Sequence, residues 1–165
     1  MKPNAQRQNT TPTLGMAAHV AAAYPQQCLA LVTESAQTLV EDRTLEGIRA
    51  AQRAFEDSAQ FARLTRWHGE RARWVLDAWT QVWLSPAFRH WSLGEHLGRI
   101  TCPVLALHGD ADEYGSSACP RAIVEGVGGP AQMALLANCG HMPHREHEST
   151  VLAQLQAFLA THQVP

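Results

Sequence analysis

The sequence predicts an α/β fold in which about three parallel strands are flanked by helices and interrupted by an all-helical insertion. Short continuous apolar runs occur at residues 28–33, 102–108 and 132–136, as expected for strands of a parallel sheet. Stretches with helical spacing lie between them, and such alternation along a chain is typical of parallel sheets. Residues 36–98 contain no strand-like run, so we expect them to form a helical insertion.

Length and composition favour a single folded domain. The chain has 165 residues, of which 45% are apolar and 17% are charged, and this balance excludes intrinsic disorder. Its net charge of -2 provides no basic field for nucleic acid or an anionic membrane. No apolar run reaches the roughly 18 to 20 residues that a membrane span needs. We therefore expect neither nucleic acid nor a membrane as a partner.

The start of the chain predicts a disordered lead-in. Residues 1–12 are polar, contain two prolines and show no apolar period. They also lack the apolar core of a secretory signal, which favours a cytoplasmic location. The four cysteines lie far apart without a C-x-x-C pair, so we expect reduced and mostly buried thiols.

The first elements are a helix and a strand. Residues 14–24 are rich in alanine and predict a helix that is mostly buried and stopped by Pro25. The strand at 28–33 should be covered on both faces. Together with residues 99–163, residues 13–35 are expected to form the sheet and its flanking helices.

The helical insertion, residues 36–98, carries many of the charges and all five tryptophans. Its first helix has one apolar face, and a longer helix carries an apolar stripe and ends at Ser85-Pro86. The apolar face comprises Leu45, Ile48, Ala51 and Phe55, and the stripe comprises Trp67, Trp74, Val75, Ala78, Trp79, Val82 and Trp83.

The rest of the chain continues the alternation. The strand at 102–108 ends at Gly109, a helix follows at about 117–125, and the strand at 132–136 leads into a loop. A final helix from about 146 to 162 completes the order. Its predicted core face comprises Val151, Leu152, Leu155, Phe158 and Leu159.

Two polar clusters follow the second and third strands. Gly109-Asp110-Ala111-Asp112 comes after the second, and Gly140-His141 comes after the third. Functional groups of an open parallel sheet collect at the carboxyl ends of its strands, so these loops can meet. A carboxylate there can fix the tautomer of a histidine that acts as a general base, whereas Asp110 is expected to form the turn.

These clusters carry a family resemblance. The runs CPVLALHGDAD at 102–112, NCGHMPH at 138–144 and LGMAAHVAAAYP at 14–25, with the closing amphipathic helix, resemble the carboxyl-terminal half of α/β-hydrolases. The resemblance covers residues 13–162. It implies hydrolysis of a carboxylic ester or similar acyl bond by a Ser-His-Asp triad without a cofactor. Asp112 would be the triad acid and His141 the triad base.

The same resemblance gives the helical insertion a role as a cap over an acyl pocket. Trp79, Trp83 and Met142 are the residues expected to contact a small ester-like substrate. Large aromatic residues also dominate the core of any small helical layer, so packing alone would account for the tryptophans.

The nucleophile of that family is missing from the pattern. The family places a serine in a G-x-S-x-G elbow before the helix that here occupies 14–24. At that address residues 9–15 read NTTPTLG, Thr11 lies nearest the nucleophile position, and no serine precedes Ser35. We therefore expect a fragment, or a chain with a replaced amino-terminus, that is inactive alone.

Two alternatives remain. One is a non-catalytic ligand-binding or assembly protein, whose first strand would have an open edge for a homodimer or a missing amino-terminal half. The other is a metal site formed by Asp112 with His141, His144 and His147. Pro143 interrupts helical spacing there and the H-E-x-x-H pattern is absent, so we expect no metal.

Overall fold

A computed structural model describes residues 14–163. The predicted lead-in, residues 1–12, lies outside the described residues. Among the described residues, no helix combines the length and the apolar character needed to cross a bilayer. The elements in chain order are α1 (Leu14–Ala23), β1 (Leu31–Glu34), α2 (Asp42–Ala54), α3 (Ser58–His68), α4 (Ala72–Leu84), α5 (Gly94–Leu97), β2 (Val104–Gly109), α6 (Ala118–Gly126), β3 (Ala131–Leu136), α7 (Pro143–Glu146) and α8 (Glu148–Thr161).

The three strands form one parallel sheet in the order β1-β2-β3. Leu31 pairs with Val104, and Val104 pairs with Ala131 on its other side. All six residues of β2 are buried, as expected for the central strand of a covered parallel sheet. The predicted three-stranded parallel architecture is confirmed.

Helices cover both faces of β2. Successive side chains of a strand point to opposite faces, and those of β2 enter two different buried clusters. Val104 and Ala106 belong to one buried cluster, which includes Ala18 and Ala21 of α1 and residues of α5 and α6. Leu105 and Leu107 belong to another, which α8 completes. The small alanines of α1 allow that helix to approach the sheet closely.

The amino-terminal elements are less buried than the sequence predicts. Among residues 16–24, whose burial the structure describes, Ala18, Ala21 and Ala22 are buried, whereas Met16, Val20 and Tyr24 are at least half exposed. Val32 on β1 is 37% exposed, so this strand is not covered on both faces. The reason is topological: within residues 14–163, β1 pairs with β2 on one side and with no strand on the other, and α1 packs through a single stripe.

Two other apolar faces are narrower than predicted. Leu152 and Leu159 of α8 are exposed, because this helix reaches the buried cluster through Val151, Leu155 and Phe158. Trp67 and Trp74 are 87% and 69% exposed. The predicted long helix is instead α3 and α4, separated at Gly69 with φ +54°, and this break turns both rings away from the core.

The helices α2 to α5 lie between β1 and β2 in the chain, as predicted. A buried cluster of Ile48, Trp83 and Phe88 joins α2 to α4. The rings of Trp83 and Phe88 meet edge to face at 5.1 Å, and Trp91 stacks on Phe88. At its start, α2 has a reciprocal capping box between Glu41 and Thr44.

A close backbone approach at Gly109 joins the loops that follow β2 and β3. A Cβ atom at this position would lie 2.2 Å from the carbonyl oxygen of Cys139 and 2.3 Å from that of Gly140. The amide of Ala111 also donates to Cys139 O at 2.9 Å. Glycine is therefore required here by space.

We expect Gly109→Ala to destabilise the protein by about 1 to 3 kcal/mol, because the added methyl group forces two backbone segments apart. Gly98→Ala is the matched control, since a Cβ there would lie 3.8 Å from Gly126 O, an ordinary contact. Urea unfolding of the three proteins measures the difference. Equal stability of the two variants would contradict the proposed crowding at Gly109.

Candidate active site

The structure brings Asp112 and His141 into direct contact. Oδ2 of Asp112 lies 2.9 Å from Nδ1 of His141, across the ends of β2 and β3. A carboxylate only accepts hydrogen bonds, so Nδ1 carries the hydrogen and Nε2 is left as the free base nitrogen. Asp112 is fully buried, whereas the His141 side chain is 35% exposed.

The loop after β2 holds Asp112 with several hydrogen bonds. Oδ1 of Asp112 accepts from the Tyr114 amide at 2.8 Å. Asp110 lies in the turn, as expected, and the Asp112 amide closes this turn on Gly109 O at 3.3 Å. The Asp110 side chain also accepts from the Cys139 amide at 3.4 Å. This contact links the loop that carries Asp112, residues 110–117 between β2 and α6 (the acid loop), to the segment that carries His141.

Helix α2 anchors the same loop from the other side. Arg43 donates to Asp112 O at 3.1 Å, and Thr44 Oγ1 donates to Tyr114 O at 2.6 Å. Just before the helix, Glu41 accepts from both the amide and the hydroxyl of Ser116. Sequence reasoning did not predict these contacts, because they join residues about 70 positions apart.

Glu146 shapes the turn that carries His141. Its carboxylate accepts from the amides of Gly140 at 2.7 Å and Met142 at 3.0 Å, the residues on either side of His141. Asn138 begins the turn with φ +54°, a left-handed conformation that asparagine tolerates better than most residues. The imidazole is therefore presented from a fixed backbone.

The contact between Asp112 and His141 moves both pKa values. Burial raises the pKa of Asp112, but the hydrogen bonds from His141 and Tyr114 and the nearby imidazoles outweigh burial and lower it. Burial lowers the pKa of His141, but the hydrogen bond and charge of Asp112, with Glu113 and Glu34, raise it overall. The pair thus favours a carboxylate beside a basic imidazole.

His108 is a buried neighbour of the pair that sequence reasoning missed. Its Nε2 lies 3.1 Å from Gly115 O and 3.4 Å from Oδ2 of Asp112, so Nε2 carries the hydrogen. Its Nδ1 is shielded from solvent and has no partner among the described residues. The available signal was a histidine near the end of a buried strand, four residues before Asp112.

A cavity of about 290 Å³ opens beside His141. The predicted Trp79 and Trp83 both line it, whereas Met142 is not one of its described lining residues. Tyr114, which sequence reasoning did not assign, bridges the two parts: its ring meets those of Trp79 at 6.0 Å and His141 at 4.8 Å. The full lining comprises Gln37, Thr44, Ile48, Trp79, Trp83, Tyr114 and His141.

The other histidines near the site have separate partners. His144 bonds to Glu34 through its amide at 2.8 Å and through Nδ1 at 2.7 Å. Nε2 of His147 lies 3.3 Å from Asn138 O. Within residues 14–163, no group of three or more histidine, cysteine or acidic side chains could hold a metal ion. The histidines considered for a metal site therefore do not converge.

No side chain among the described residues hydrogen-bonds to Nε2 of His141, the atom from which a nucleophile would be activated. Thr11, nearest the expected nucleophile position, lies outside the described residues. The described residues thus form an acid and a base beside an aromatic cavity, and the pair can accept or donate one proton at Nε2 of His141.

Comparison with known proteins identifies the fold. No family model and no curated protein matches the chain. A membrane phospholipase A described as a bacterial virulence factor is 24% identical with a TM-score of 0.66 over 91% of this chain and 55% of its own. A serine hydrolase involved in carbazole degradation is 20% identical, with a TM-score of 0.64 over 89% of this chain and 60% of its own.

An alpha/beta hydrolase enzyme from a Medee basin deep-sea metagenome library is similar at 14% identity, with a TM-score of 0.60 over 90% of this chain and 62% of its own. The chain therefore spans 55–62% of the length of these three structures. The expected relationship to α/β-hydrolases is confirmed at the level of fold, and the described residues form part of that fold.

We expect the pKa of His141, followed by histidine NMR during a pH titration, to lie above the ordinary value of 6.5. In Asp112→Asn it should fall below the native value, because burial remains while the carboxylate is lost. Glu34→Gln is the control and should shift it less, since Glu34 is the smallest of the named contributors. An unchanged His141 titration in Asp112→Asn would contradict the assigned contact.

The same pair predicts a pH window for stability. The raised pKa of His141 adds stability that is full below about 6.5 and is lost as pH rises through the folded-state value. The lowered pKa of Asp112 adds stability that is present above about 3.8 and is lost as pH falls. Urea unfolding should therefore show the largest difference between native protein and Asp112→Asn near pH 5.

Proposed function

We propose that Asp112 and His141 are the acid and the base of a Ser-His-Asp triad that hydrolyses a carboxylic ester or similar acyl bond. The observation that carries the proposal is the 2.9 Å contact of a fully buried carboxylate with an imidazole that lines an aromatic cavity. Asp112 would hold the tautomer, and Nε2 would take a proton from the nucleophile and return it to the leaving group.

The substrate proposed here is a small molecule whose acyl group enters the cavity. In this proposal α2 to α5 act as a cap, and Trp79 and Trp83 contact the acyl group. Met142 would contact the substrate from the turn outside the cavity lining. No cofactor is required by this chemistry. The free cysteines of the described residues support action in the cytoplasm.

The nucleophile is the part of the proposed triad that the sequence does not provide in its usual form. No G-x-S-x-G motif occurs in the 165 residues. We therefore propose that the chain does not turn over esters alone, and that the nucleophile comes from another polypeptide segment. Ester hydrolysis is proposed for the assembly of this chain with that segment.

Chemical rescue tests the proposal. A small thiol added with p-nitrophenyl butyrate can occupy the nucleophile position, and His141 should deprotonate it. We expect thiol-dependent ester cleavage at least tenfold faster with the native chain than with His141→Gln or Asp112→Asn, a conservative part of the roughly 100- to 10,000-fold that general-base catalysis supplies.

His144→Gln is the matched control, since it removes a neighbouring imidazole that is paired with Glu34. It should retain the native rescue rate. Equal rescue rates in the native, His141→Gln and Asp112→Asn proteins would overturn the acid-base roles. Rapid ester turnover without thiol, abolished by His141→Gln, would instead overturn the proposed absence of a nucleophile.

A second candidate is a non-catalytic assembly protein that pairs with a second copy of itself through β1. The observation in its favour is that, in the part of the chain that the structure describes, β1 has a strand neighbour on one side only, with Val32 exposed on the strand. Met16 and Val20 of α1, and Tyr24 just after it, add exposed apolar area near this strand. Unpaired strand edges of this kind favour pairing with another chain.

Light scattering with size-exclusion chromatography tests this candidate. A dimer at about 50 µM that Val32→Lys dissociates would support it, because a lysine on an edge strand opposes pairing. Leu152→Lys on α8 is the control, since Leu152 is 50% exposed but lies on a helix and not on the strand edge. A native monomer at this concentration would count against the second candidate.

A further inference from the structure

We propose that two copies of this chain pair through β3, with the two strands antiparallel and Met133 of one copy opposite Met133 of the other. This contact is separate from the proposed acid-base function and from the candidate pairing through β1. It follows from the hydrogen-bonding pattern, the exposure and the lack of charge at this edge of the sheet.

The outer edge of β3 has free backbone groups. Among the described residues, β3 pairs with β2 on one side and with no strand on the other. The Val104 amide donates to Pro130 O where this pairing begins. The Asp110 amide donates to Leu136 O where it ends, so the even-numbered residues use their backbone groups on β2.

Backbone amides and carbonyls alternate in direction along a strand, so those of the odd-numbered residues of β3 point outward. These residues are Ala131, Met133 and Leu135. All three are exposed, and the large apolar side chains of Met133 and Leu135 are 38% and 44% exposed. The edge thus offers hydrogen-bonding groups of the kind that another strand satisfies.

A groove of about 450 Å³ lies between this edge and α8. Residues 133–137 line it on the side of the sheet. His147, Thr150 and Gln154, at the spacing of one helical face, line it on the side of α8. The groove leaves room beside β3 for the backbone of a partner strand.

The edge lacks the charges by which strands avoid pairing. Edge strands of natural proteins carry lysine, other charged residues or proline that oppose pairing with another chain. Neither a charged residue nor proline occurs within β3, and the described lining of the groove includes no acidic residue, lysine or arginine. The strand β1, by contrast, ends in Glu34.

The lack of charge favours a second copy as the partner. A twofold contact places the same surface of both copies together, so any charge there would meet its own equivalent and repel it. An uncharged edge avoids this repulsion. We therefore assign the edge to a second copy of this chain.

A twofold axis at Met133 satisfies the outward backbone groups. In this register Met133 faces its own equivalent, and Ala131 faces Leu135 of the second copy. Opposed residues of this kind exchange both N–H···O=C bonds in an antiparallel pair. Their side chains lie on the same face of the sheet, so the pairing also brings apolar side chains together.

Charges at position 133 test this register. Light scattering with size-exclusion chromatography at about 50 µM should show a dimer for the native chain and monomers for Met133→Lys and Met133→Glu, because like charges then face each other. An equimolar mixture of the two variants should regain a dimer, with association about tenfold tighter than for either variant alone, because opposite charges then meet.

Two control variants separate β3 from other surfaces. Val32→Lys on β1 and Leu152→Lys on α8 each place a lysine at an exposed apolar residue outside β3, and both should remain dimeric. Dissociation by Val32→Lys but not by Met133→Lys would assign the contact to β1 and refute the proposal.

The remaining outcomes also decide the proposal. A native monomer would leave the edge to a different polypeptide and would overturn pairing with a second copy. A mixture of Met133→Lys and Met133→Glu that stays monomeric, while circular dichroism shows both variants folded, would overturn the register. Thiol rescue by His141 is measured separately, so neither result bears on the acid-base roles.

Discussion

The burial of one carboxylate, that of Asp112, constrains the loops at the carboxyl ends of β2 and β3. Asp112 is fully shielded from solvent, and an isolated charge in that position would be very costly. The imidazole of His141 and the amide of Tyr114 donate hydrogen bonds to this carboxylate, and Nε2 of His108 lies 3.4 Å from its Oδ2. These donors come from a strand and two loops, so the positions of all three are constrained by the same charge.

Helix α2 extends this constraint into the helical insertion. The helix is packed so tightly on the acid loop that a Cβ at Gly47 would lie 2.6 Å from Glu113 O. Arg43 and Thr44 bond to carbonyl groups of the same loop. The same loop therefore contacts both the cavity wall formed by α2 and the pair of Asp112 and His141 at the end of the sheet. This arrangement explains why the cavity and the acid-base pair lie together although their residues are far apart in sequence.

The sequence predicted the elements whose signals are local. A continuous apolar run located β2, and the polar residues that follow β2 and β3 predicted the meeting of Asp112 and His141, because carboxyl ends of parallel strands share an edge. Properties set by distant neighbours were not predictable. The exposure of Val20 and Val32 depends on which strand lies next to β1, and the apolar pattern is the same in either case.

The site residues that escaped prediction share this dependence. Neither residue type nor spacing singles out Tyr114, His108 or Gln37. Tyr114 has a ring contact with His141, His108 Nε2 lies 3.1 Å from Gly115 O, and Gln37 lines the cavity. The exposed Trp67 and Trp74 show the reverse error, since helical spacing alone placed them in a core. Composition thus indicates that aromatic residues are present, and packing decides which of them face a cavity.

The anchoring of α2 also has a kinetic consequence. A ligand that enters the cavity by displacing α2 would have to break the hydrogen bonds from Arg43 and Thr44 to the loop that carries Asp112. The opposite wall, formed by Trp79 and Trp83 of α4, is held by other contacts: Thr80 accepts a hydrogen bond from Gln52 of α2, and the ring of Trp79 meets that of Tyr114. A displacement of α4 would break these contacts but would leave the hydrogen bonds from Arg43 and Thr44, and the contact of Asp112 with His141, in place.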